Sequence, residues 1–435
     1  MRKHAYAALV LCLSACGGRS VQGPAGSARV GDAGADAGPD AQARRCTFKG
    51  FASAVSYATA KEPLSIVAVD LTGTGHLDLI AGEVEANGFS SELLVNAGDG
   101  TFALTGSYGA SANNVNNLVA ADFNGDGRVD LASESSGVSG IDLGTGGSAF
   151  APSLVPFPTQ QSEGYLAAGD FNGDGHPDIA FAGYDNGEIY GGLPEPIQTN
   201  FALSVFLNAG AGTFAAPATY ANPRSFLSLA TGDFDGDGQL DLAELTSAAV
   251  AGISIFFNAG GGVFRSEANY PASDSESNFG LGIADFNGDG KDDLATTTVL
   301  SPNTAAAANV LEVFSGAAGG SINGPVYYPI ANVPDISTIV TGDFNGDGKP
   351  DLAMVMAKAD AASTVPTPVN VFENQGDGTF GAPVIYGVGG VTFEYASAVA
   401  AGDFNGDGVT DIAVTTSGVE PPYPWAVNVL LSQCE

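Results

Sequence analysis

Seven short acidic segments hold the residues of this sequence whose types and spacing could do chemistry. Each is a nonapeptide with aspartate at positions 1 and 9 and glycine at positions 4 and 6; six also have asparagine or aspartate at position 3 and aspartate at position 5. The copies are DLTGTGHLD from Asp70, DFNGDGRVD from Asp122, DFNGDGHPD from Asp170, DFDGDGQLD from Asp233, DFNGDGKDD from Asp285, DFNGDGKPD from Asp343 and DFNGDGVTD from Asp403. A hard divalent cation such as Ca2+ takes roughly six to eight oxygen ligands, which positions 1, 3 and 5 and the carbonyl of position 7 supply when glycine at position 6 permits a sharp turn. The spacing therefore predicts calcium sites in six loops.

The loops differ from EF-hands at position 12, where an EF-hand has a bidentate glutamate. That position is occupied by Ser133, Phe181, Glu244, Thr296, Met354 and Val414 in the six complete loops. Because only one of them is glutamate, we expect the aspartate at position 9 to supply the missing ligand. The first loop has threonine at positions 3 and 5, which leaves only Asp70 and Asp78 as carboxylates. We expect it to be metal-free or weak.

The acidic composition makes a bound cation important for stability. The chain has 48 Asp and Glu residues against 14 Lys and Arg residues, a net charge of −34. Nineteen carboxylates fall at positions 1, 3, 5 and 9 of the six complete loops, where they would repel one another without a metal. We therefore expect calcium to be a condition of stability; the alternative is a set of solvated acidic turns without metal. The same charge makes nucleic acid and anionic lipid surfaces poor partners.

The elements around each loop indicate an all-β repeat protein. Each acidic segment follows one short apolar run, such as YLAAG, and precedes another, such as DIAFA, so that it joins two strands. A third run ends in a turn and an aromatic residue, as in VFLNAGAGTF and VFENQGDGTF, which is typical of a hairpin. Four antiparallel strands in each of seven repeats predict a seven-bladed β-propeller, with the small residues of the first strand innermost.

At this point the sequence resembles the FG-GAP or VCBS repeats of integrin α-subunit propellers and of many bacterial surface proteins. The resemblance rests on the acidic loop and the GTFAAP and GTFGAP segments, and it covers nearly all of residues 46–435. It implies that positions 1, 3, 5 and 9 bind the metal through side chains and position 7 through its backbone carbonyl. The implied ligands are Asp122, Asn124, Asp126, Arg128 and Asp130; Asp170, Asn172, Asp174, His176 and Asp178; Asp233, Asp235, Asp237, Gln239 and Asp241; Asp285, Asn287, Asp289, Lys291 and Asp293; Asp343, Asn345, Asp347, Lys349 and Asp351; and Asp403, Asn405, Asp407, Val409 and Asp411.

Both ends of the repeat region contribute to one blade. The segment CTFKGFASAVSY matches the fourth-strand pattern GTFAAPATY, and the C-terminal NVLLSQCE matches the third-strand pattern VFLNAG. This alignment places Cys46 and Cys434 across one hairpin turn. In an oxidising compartment we expect them to form a disulfide, the alternative being two free thiols.

The N-terminus has the order of a secretory signal. Arg2 and Lys3 precede an apolar run that ends in Leu-Ser-Ala before Cys16, which resembles a bacterial lipobox. We expect residues 1–15 to be the signal peptide, Cys16 to be lipidated and residues 16–45 to be a disordered tether, with an ordinary signal peptide as the alternative. The protein would then be a monomer held at the cell envelope, at the outer membrane or cell surface, by its lipid alone.

Recognition rather than catalysis is the expected function. The mature chain has only His76 and His176, both at loop position 7, and it has no phosphate-binding loop, G-x-S-x-G or zinc-type cluster. The connections on the face opposite the acidic loops vary in length and contain Tyr184, Tyr190, Tyr423 and Trp425. Exposed aromatic residues suit a protein or glycan ligand, although they also serve ordinary loop packing. The open alternatives are a protein-binding scaffold, a lectin, and a carbohydrate-active or other hydrolytic enzyme.

Overall fold

The computed structural model describes residues 47–85, 88–108, 117–135, 138–147, 149–156, 163–184, 201–221, 225–247, 252–265, 268–271, 280–300, 308–317, 321–330, 336–356, 367–388, 395–417 and 425–434. The predicted signal peptide, Cys16, the tether and Cys46 lie outside these residues. No described residue is helical. In particular, the described chain contains no apolar helix of the length needed to cross a bilayer.

The described residues form thirty β-strands. They are β1 (Phe48–Phe51), β2 (Val55–Ala58), β3 (Pro63–Val69), β4 (Asp78–Glu85), β5 (Gly88–Asn96), β6 (Phe102–Tyr108), β7 (Asn117–Ala121), β8 (Asp130–Ser135), β9 (Val138–Gly146), β10 (Ala149–Pro156), β11 (Glu163–Gly169), β12 (Asp178–Tyr184), β13 (Phe201–Phe206), β14 (Ala218–Ala221), β15 (Ser225–Gly232), β16 (Asp241–Ser247), β17 (Gly252–Phe256), β18 (Ala268–Pro271), β19 (Gly282–Ala284), β20 (Asp293–Leu300), β21 (Ala308–Ala317), β22 (Ser321–Pro329), β23 (Ile336–Gly342), β24 (Asp351–Met356), β25 (Thr367–Phe372), β26 (Val384–Val388), β27 (Tyr395–Gly402), β28 (Asp411–Ser417), β29 (Ala426–Leu430) and β30 (Ser432–Cys434).

The strands make seven four-stranded antiparallel blades, as the repeats predict. Blades 1 to 6 follow chain order from β3–β6 to β23–β26, each as four successive strands A, B, C and D. Every acidic segment lies between strands A and B of its blade. The fold is therefore a seven-bladed all-β propeller.

Blade 7 confirms the predicted closure by both termini. Its sheet has the order β2-β29-β28-β27, so the N-terminal β2 completes a blade otherwise built from the C-terminal end of the chain. Val55 of β2 lies opposite Val429, and a second short pair places Phe48 of β1 opposite Cys434 of β30. Cys46 lies outside the described residues, so its predicted disulfide with Cys434 stays a prediction.

The core lies between neighbouring blades because alternate residues of each strand face opposite neighbours. One cluster joins Ala180 and Leu203 of blade 3 to Leu242 and Phe256 of blade 4. The first strands are crowded, as their small residues suggest: a Cβ added to Gly169 would lie 2.7 Å from Cδ1 of Leu240 in the next blade. Small residues here let adjacent blades approach closely.

Candidate metal loops on one face of the propeller

The acidic segments all form the same tight turn. In the Asp170 loop, the Asp170 carboxylate accepts the N–H groups of Gly173, Asp174 and Gly175 at 2.8, 3.1 and 2.8 Å. Gly173 and Gly175 have φ of 77° and 87°, which glycine adopts without strain. Position 1 therefore fixes the turn, and the two glycines make it possible.

Positions 3 and 5 continue this inward arrangement. Asn172 Oδ1 accepts the Asp174 N–H at 2.8 Å, and Asp174 Oδ1 accepts the His176 N–H at 2.9 Å. Positions 1, 3 and 5 therefore each present a side-chain oxygen to the backbone of the same turn. Oxygen ligands of this kind are those that a hard cation prefers.

The Asp233 loop gives the clearest test of fit. One carboxylate oxygen from each of Asp233, Asp235 and Asp237 lies within 4.8 Å of the others, the one such group among the described residues. Burial, followed by the charge of Asp237, raises the pKa of Asp235. Crowded carboxylates of this kind gain from a divalent cation, so the residues fit calcium.

The aspartate at position 9 has a role that the sequence did not reveal. Asp178 is fully buried, and its Oδ1 accepts the N–H of Asn208, at the end of strand C, at 2.7 Å. Its Oδ2 accepts the Phe171 N–H at 2.8 Å. The equivalent contacts of Asp130, Asp241, Asp293, Asp351 and Asp411 repeat in every complete loop. Position 9 thus ties the loop to the neighbouring turn, and its additional role as a metal ligand stays a prediction.

Burial dominates the acidity of these aspartates. It raises the pKa of Asp241, Asp351 and Asp411 to about 7, although the N–H donors offset part of the effect. The same cause raises the pKa of Asp130, Asp178 and Asp293 to about 6. A nearby cation would favour their ionised forms.

The residue at position 7 is an arginine or lysine in three of the complete loops and is uncharged in two others. Arg128 Nη1, Lys291 Nζ and Lys349 Nζ lie 3.3, 3.2 and 3.3 Å from the position-5 carboxylates of their own loops. The Asp233 and Asp403 loops have neutral Gln239 and Val409 at this position. In three loops, the side chain at position 7 therefore forms an ion pair with the position-5 aspartate, which is itself a predicted metal ligand.

The first loop keeps the turn with fewer charges. Asp70 accepts the N–H groups of Thr74 and Gly75 at 3.0 and 2.8 Å, and the Thr72 hydroxyl donates to Asp78 Oδ2 at 3.1 Å. Its threonines therefore bond within the loop. Whether it binds metal weakly or not at all stays a prediction.

An asparagine at the end of strand C connects adjacent blades at the loops. Asn258 Nδ2 donates to the carbonyls of Leu240, in its own loop, and Phe171, in the preceding one, at 3.1 and 2.8 Å. Asn96, Asn208 and Asn374 make the same pair of bonds. The sequence has Asn-x-Gly at Asn96, Asn208, Asn258 and Asn374, but it does not show the partner of that asparagine in another blade.

The acidic loops and the strand C to D turns share one face, as predicted. The other face is formed by the B to C and D to A connections, of which few residues are described. Tyr190 and Tyr423 lie outside the described residues, and Tyr184 ends β12 on this face. Trp425 is half-buried there, and its carbonyl accepts the Thr59 N–H at 2.9 Å.

Comparison with protein families finds FG-GAP-type repeats in parts of the chain. A model described as FG-GAP-like repeat matches residues 70–133, 170–244 and 357–414, and one described as FG-GAP repeat matches residues 336–355. No curated protein sequence matches the chain.

Two solved structures are similar in fold. One is a lectin from Agrocybe aegerita described as specifically recognising non-reducing terminal N-acetylglucosamine, with 20% identity and a TM-score of 0.50 over 76% of this chain and 81% of that one. The other is BBS1N, solved in complex with ARL6DN, with 10% identity and a TM-score of 0.55 over 89% of this chain and 98% of that one. At these identities the likeness concerns the fold alone.

Proposed function

We propose that this chain of FG-GAP repeats, folded as a seven-bladed β-propeller, is a calcium-stabilised recognition scaffold for a protein or glycan. The observation that carries the proposal is the division between its two faces. The acidic face is built from near-identical loops whose polar groups bond to one another and to neighbouring blades. The opposite face is built from connections that differ in length and sequence, which suits the selection of a ligand.

Calcium is proposed as a structural ion. Positions 1, 3 and 5 would hold it through side chains and position 7 through a carbonyl, in about six loops. When bound, it would neutralise carboxylates that otherwise repel. We infer no catalytic role for these loops, because their carboxylates are engaged in fixing the turn.

The recognition face can be tested by aromatic substitution. We expect Trp425→Ala, combined with Tyr184→Ala, Tyr190→Ala and Tyr423→Ala, to abolish binding to ligands found by glycan arrays and by screening of surface proteins. The matched control is Tyr327→Ala on β22, which is 46% exposed on the outer rim of blade 5. Equal binding by both variants would place recognition elsewhere, and hydrolysis of a bound glycan would favour the enzyme alternative.

A lipid anchor and a terminal disulfide complete the proposal. Cys16 would become the lipidated N-terminus and residues 16–45 the tether, which places the monomeric propeller at the cell envelope. We expect mass spectrometry of the non-reduced mature protein to show a lipid-modified Cys16 peptide and a Cys46–Cys434 cross-linked peptide. An unmodified N-terminus elsewhere would contradict the anchor, and unlinked Cys46 would contradict the disulfide.

A further inference from the structure

Two glutamates outside the acidic loops are buried side by side in blade 1. Glu83 of β4 is 1% exposed and Glu92 of β5 is 5% exposed. Glu83 lies opposite Ser90, and Glu92 lies opposite Ala81, so the two are diagonal neighbours on the same face of the sheet. That face packs on blade 7, because Ala81 and Leu94 belong to one cluster with Val427.

The two carboxylates hold one short segment of backbone. Glu92 Oε1 accepts the Ala60 N–H at 2.9 Å, and Glu83 Oε1 accepts the Lys61 N–H at 3.3 Å. Residues 59–62 connect β2, the N-terminal strand that completes blade 7, to β3 of blade 1. The pair therefore fixes the chain where the two ends of the ring meet.

The same segment reaches the proposed recognition face. The N–H of Thr59 donates to the carbonyl of Trp425 at 2.9 Å, and the Thr59 hydroxyl donates to the Lys61 carbonyl at 2.8 Å. Trp425 is the one tryptophan of the sequence. A change in the hydrogen bonds between the glutamates and residues 59–62 would therefore affect Trp425 through its backbone bond to Thr59.

The charges around the pair do not balance when both glutamates are ionised. Lys61 supplies a positive charge beside Glu83: its Nζ lies 3.5 Å from the Ser90 hydroxyl, which donates to Glu83 Oε2 at 3.2 Å. Glu62 is half-buried in the same connection. Two buried carboxylates beside one ammonium leave an excess negative charge.

The elements packed against the pair supply little to offset that charge. The sequences of β3 and β29 contain no ionisable side chain, and that of β28 contains only Asp411, at its loop end. On β2 the titratable residue is Tyr57, whose hydroxyl accepts the Phe102 N–H at 3.1 Å. Glu92 Oε2 is buried without a hydrogen-bond partner among the described residues.

One bound proton would offset both the excess negative charge and the missing hydrogen bond of Glu92 Oε2. A neutral carboxyl group can donate a hydrogen bond to its neighbour, and it removes the excess charge. Burial, followed by the charge of Glu92, raises the pKa of Glu83 to about 7. The proton is thus retained in mildly acidic solution and lost in mildly alkaline solution.

We propose that Glu83 and Glu92 form a proton-operated latch, meaning a pair of side chains whose protonation controls how firmly residues 59–62 are held. This segment lies where the two ends of the ring meet. With one proton between them, they hold residues 59–62 and, through Thr59, the backbone of Trp425. When the proton leaves, repulsion between the carboxylates loosens this hold. The latch would make the recognition face sensitive to pH without involving the acidic loops.

The emission of Trp425 gives a direct test because no other tryptophan contributes. In saturating calcium, we expect the full-length wild-type protein to show a pH-dependent emission change with a midpoint near pH 7. Glu83→Gln, which imitates the protonated group, should remove this transition, and Glu92→Gln should remove it or shift it by at least one pH unit. The matched control is Glu244→Gln, at a fully buried glutamate of blade 4, which should leave the transition unchanged.

Hydrogen exchange provides a second readout that does not depend on fluorescence. Peptides covering residues 59–62 should exchange at least several-fold faster at pH 8 than at pH 6, after correction for intrinsic rates, in the wild type but not in Glu83→Gln. The latch is overturned if the wild type shows no transition in either experiment, if both latch variants retain it, or if Glu244→Gln also loses it. These readouts do not require calcium removal or a known ligand, so they can fail independently of the proposed function.

Discussion

Chelation of calcium is expected to lower the melting temperature of the purified protein by on the order of 10 to 20 °C and to release about six ions. Each site filled at a hundredfold excess over its dissociation constant contributes about 2.7 kcal/mol to the folded state. The physical reason is visible in the Asp233 loop, where three carboxylates converge. Calorimetry with and without chelator, together with elemental analysis of bound metal, measures both quantities.

A comparison of cations serves as the control for this experiment. Magnesium demands tighter octahedral geometry and loses water reluctantly, so it should restore much less stability than calcium at equal concentration. An unchanged melting temperature, or fewer than three bound ions, would contradict the structural role of calcium. The acidic loops would then be solvated turns held by their own hydrogen bonds.

The six loops should not bind equally. The Asp233 loop has aspartate rather than asparagine at position 3 and a neutral residue at position 7, and more ligand charge raises calcium affinity. Within the same titration, we expect Asp235→Asn to weaken the tightest step about tenfold while about six ions still bind. The reciprocal variant Asn405→Asp, in the loop with Val409 at position 7, should gain a tight step.

The sequence predicted the architecture well because repetition carries that information. Seven equally patterned loops, each between two apolar runs, leave few arrangements other than blades around an axis. The match of CTFKGF to the fourth strand also predicted blade closure, and β2 pairs with β29 accordingly. Local turn chemistry at Gly173 and Gly175 was equally readable, since positions 4 and 6 are glycine in every loop.

The contacts between repeats were not predictable in the same way. Asp178 bonds to Asn208, and Asn208 bonds in turn to the carbonyl of Phe123 in the preceding blade. No spacing within one repeat specifies a partner 85 residues away. Similarly, nothing in the sequence around Glu83 and Glu92 indicates that both carboxylates hold residues 59–62. Such pairings follow from how blades stack, and only the folded ring shows them.

The aromatic residue at position 2 should contribute more to stability than any other side chain of its loop. Phe171 is fully buried, and its ring lies 5.7 Å from that of Phe264 in the next blade at an interplanar angle of 74°. The backbone N–H of Phe264 in turn donates to the Tyr220 hydroxyl of blade 3 at 3.0 Å. Phe171 thus connects the acidic loop of blade 3 to the strand C to D turn of blade 4. Through Phe264, it is also connected to β14, the outer strand of blade 3.

We expect Phe171→Ala to cost about 3 to 5 kcal/mol in the free energy of unfolding, because it removes a buried ring and leaves a cavity between blades 3 and 4. Phe171→Leu is the matched control, since the first loop has Leu71 at this position and tolerates it; its cost should be about 1 kcal/mol. Denaturation by urea in saturating calcium measures both values without a contribution from metal loss. A cost below about 1 kcal/mol for Phe171→Ala would contradict the prediction. A cost for Phe171→Leu as large as that for Phe171→Ala would show that the aromatic ring itself, rather than its buried volume, supplies the stability. A large loss of bound calcium in Phe171→Ala alone would instead show that blade packing and metal binding are coupled, since the turn that presents Asp170 and Asp174 begins at the buried ring.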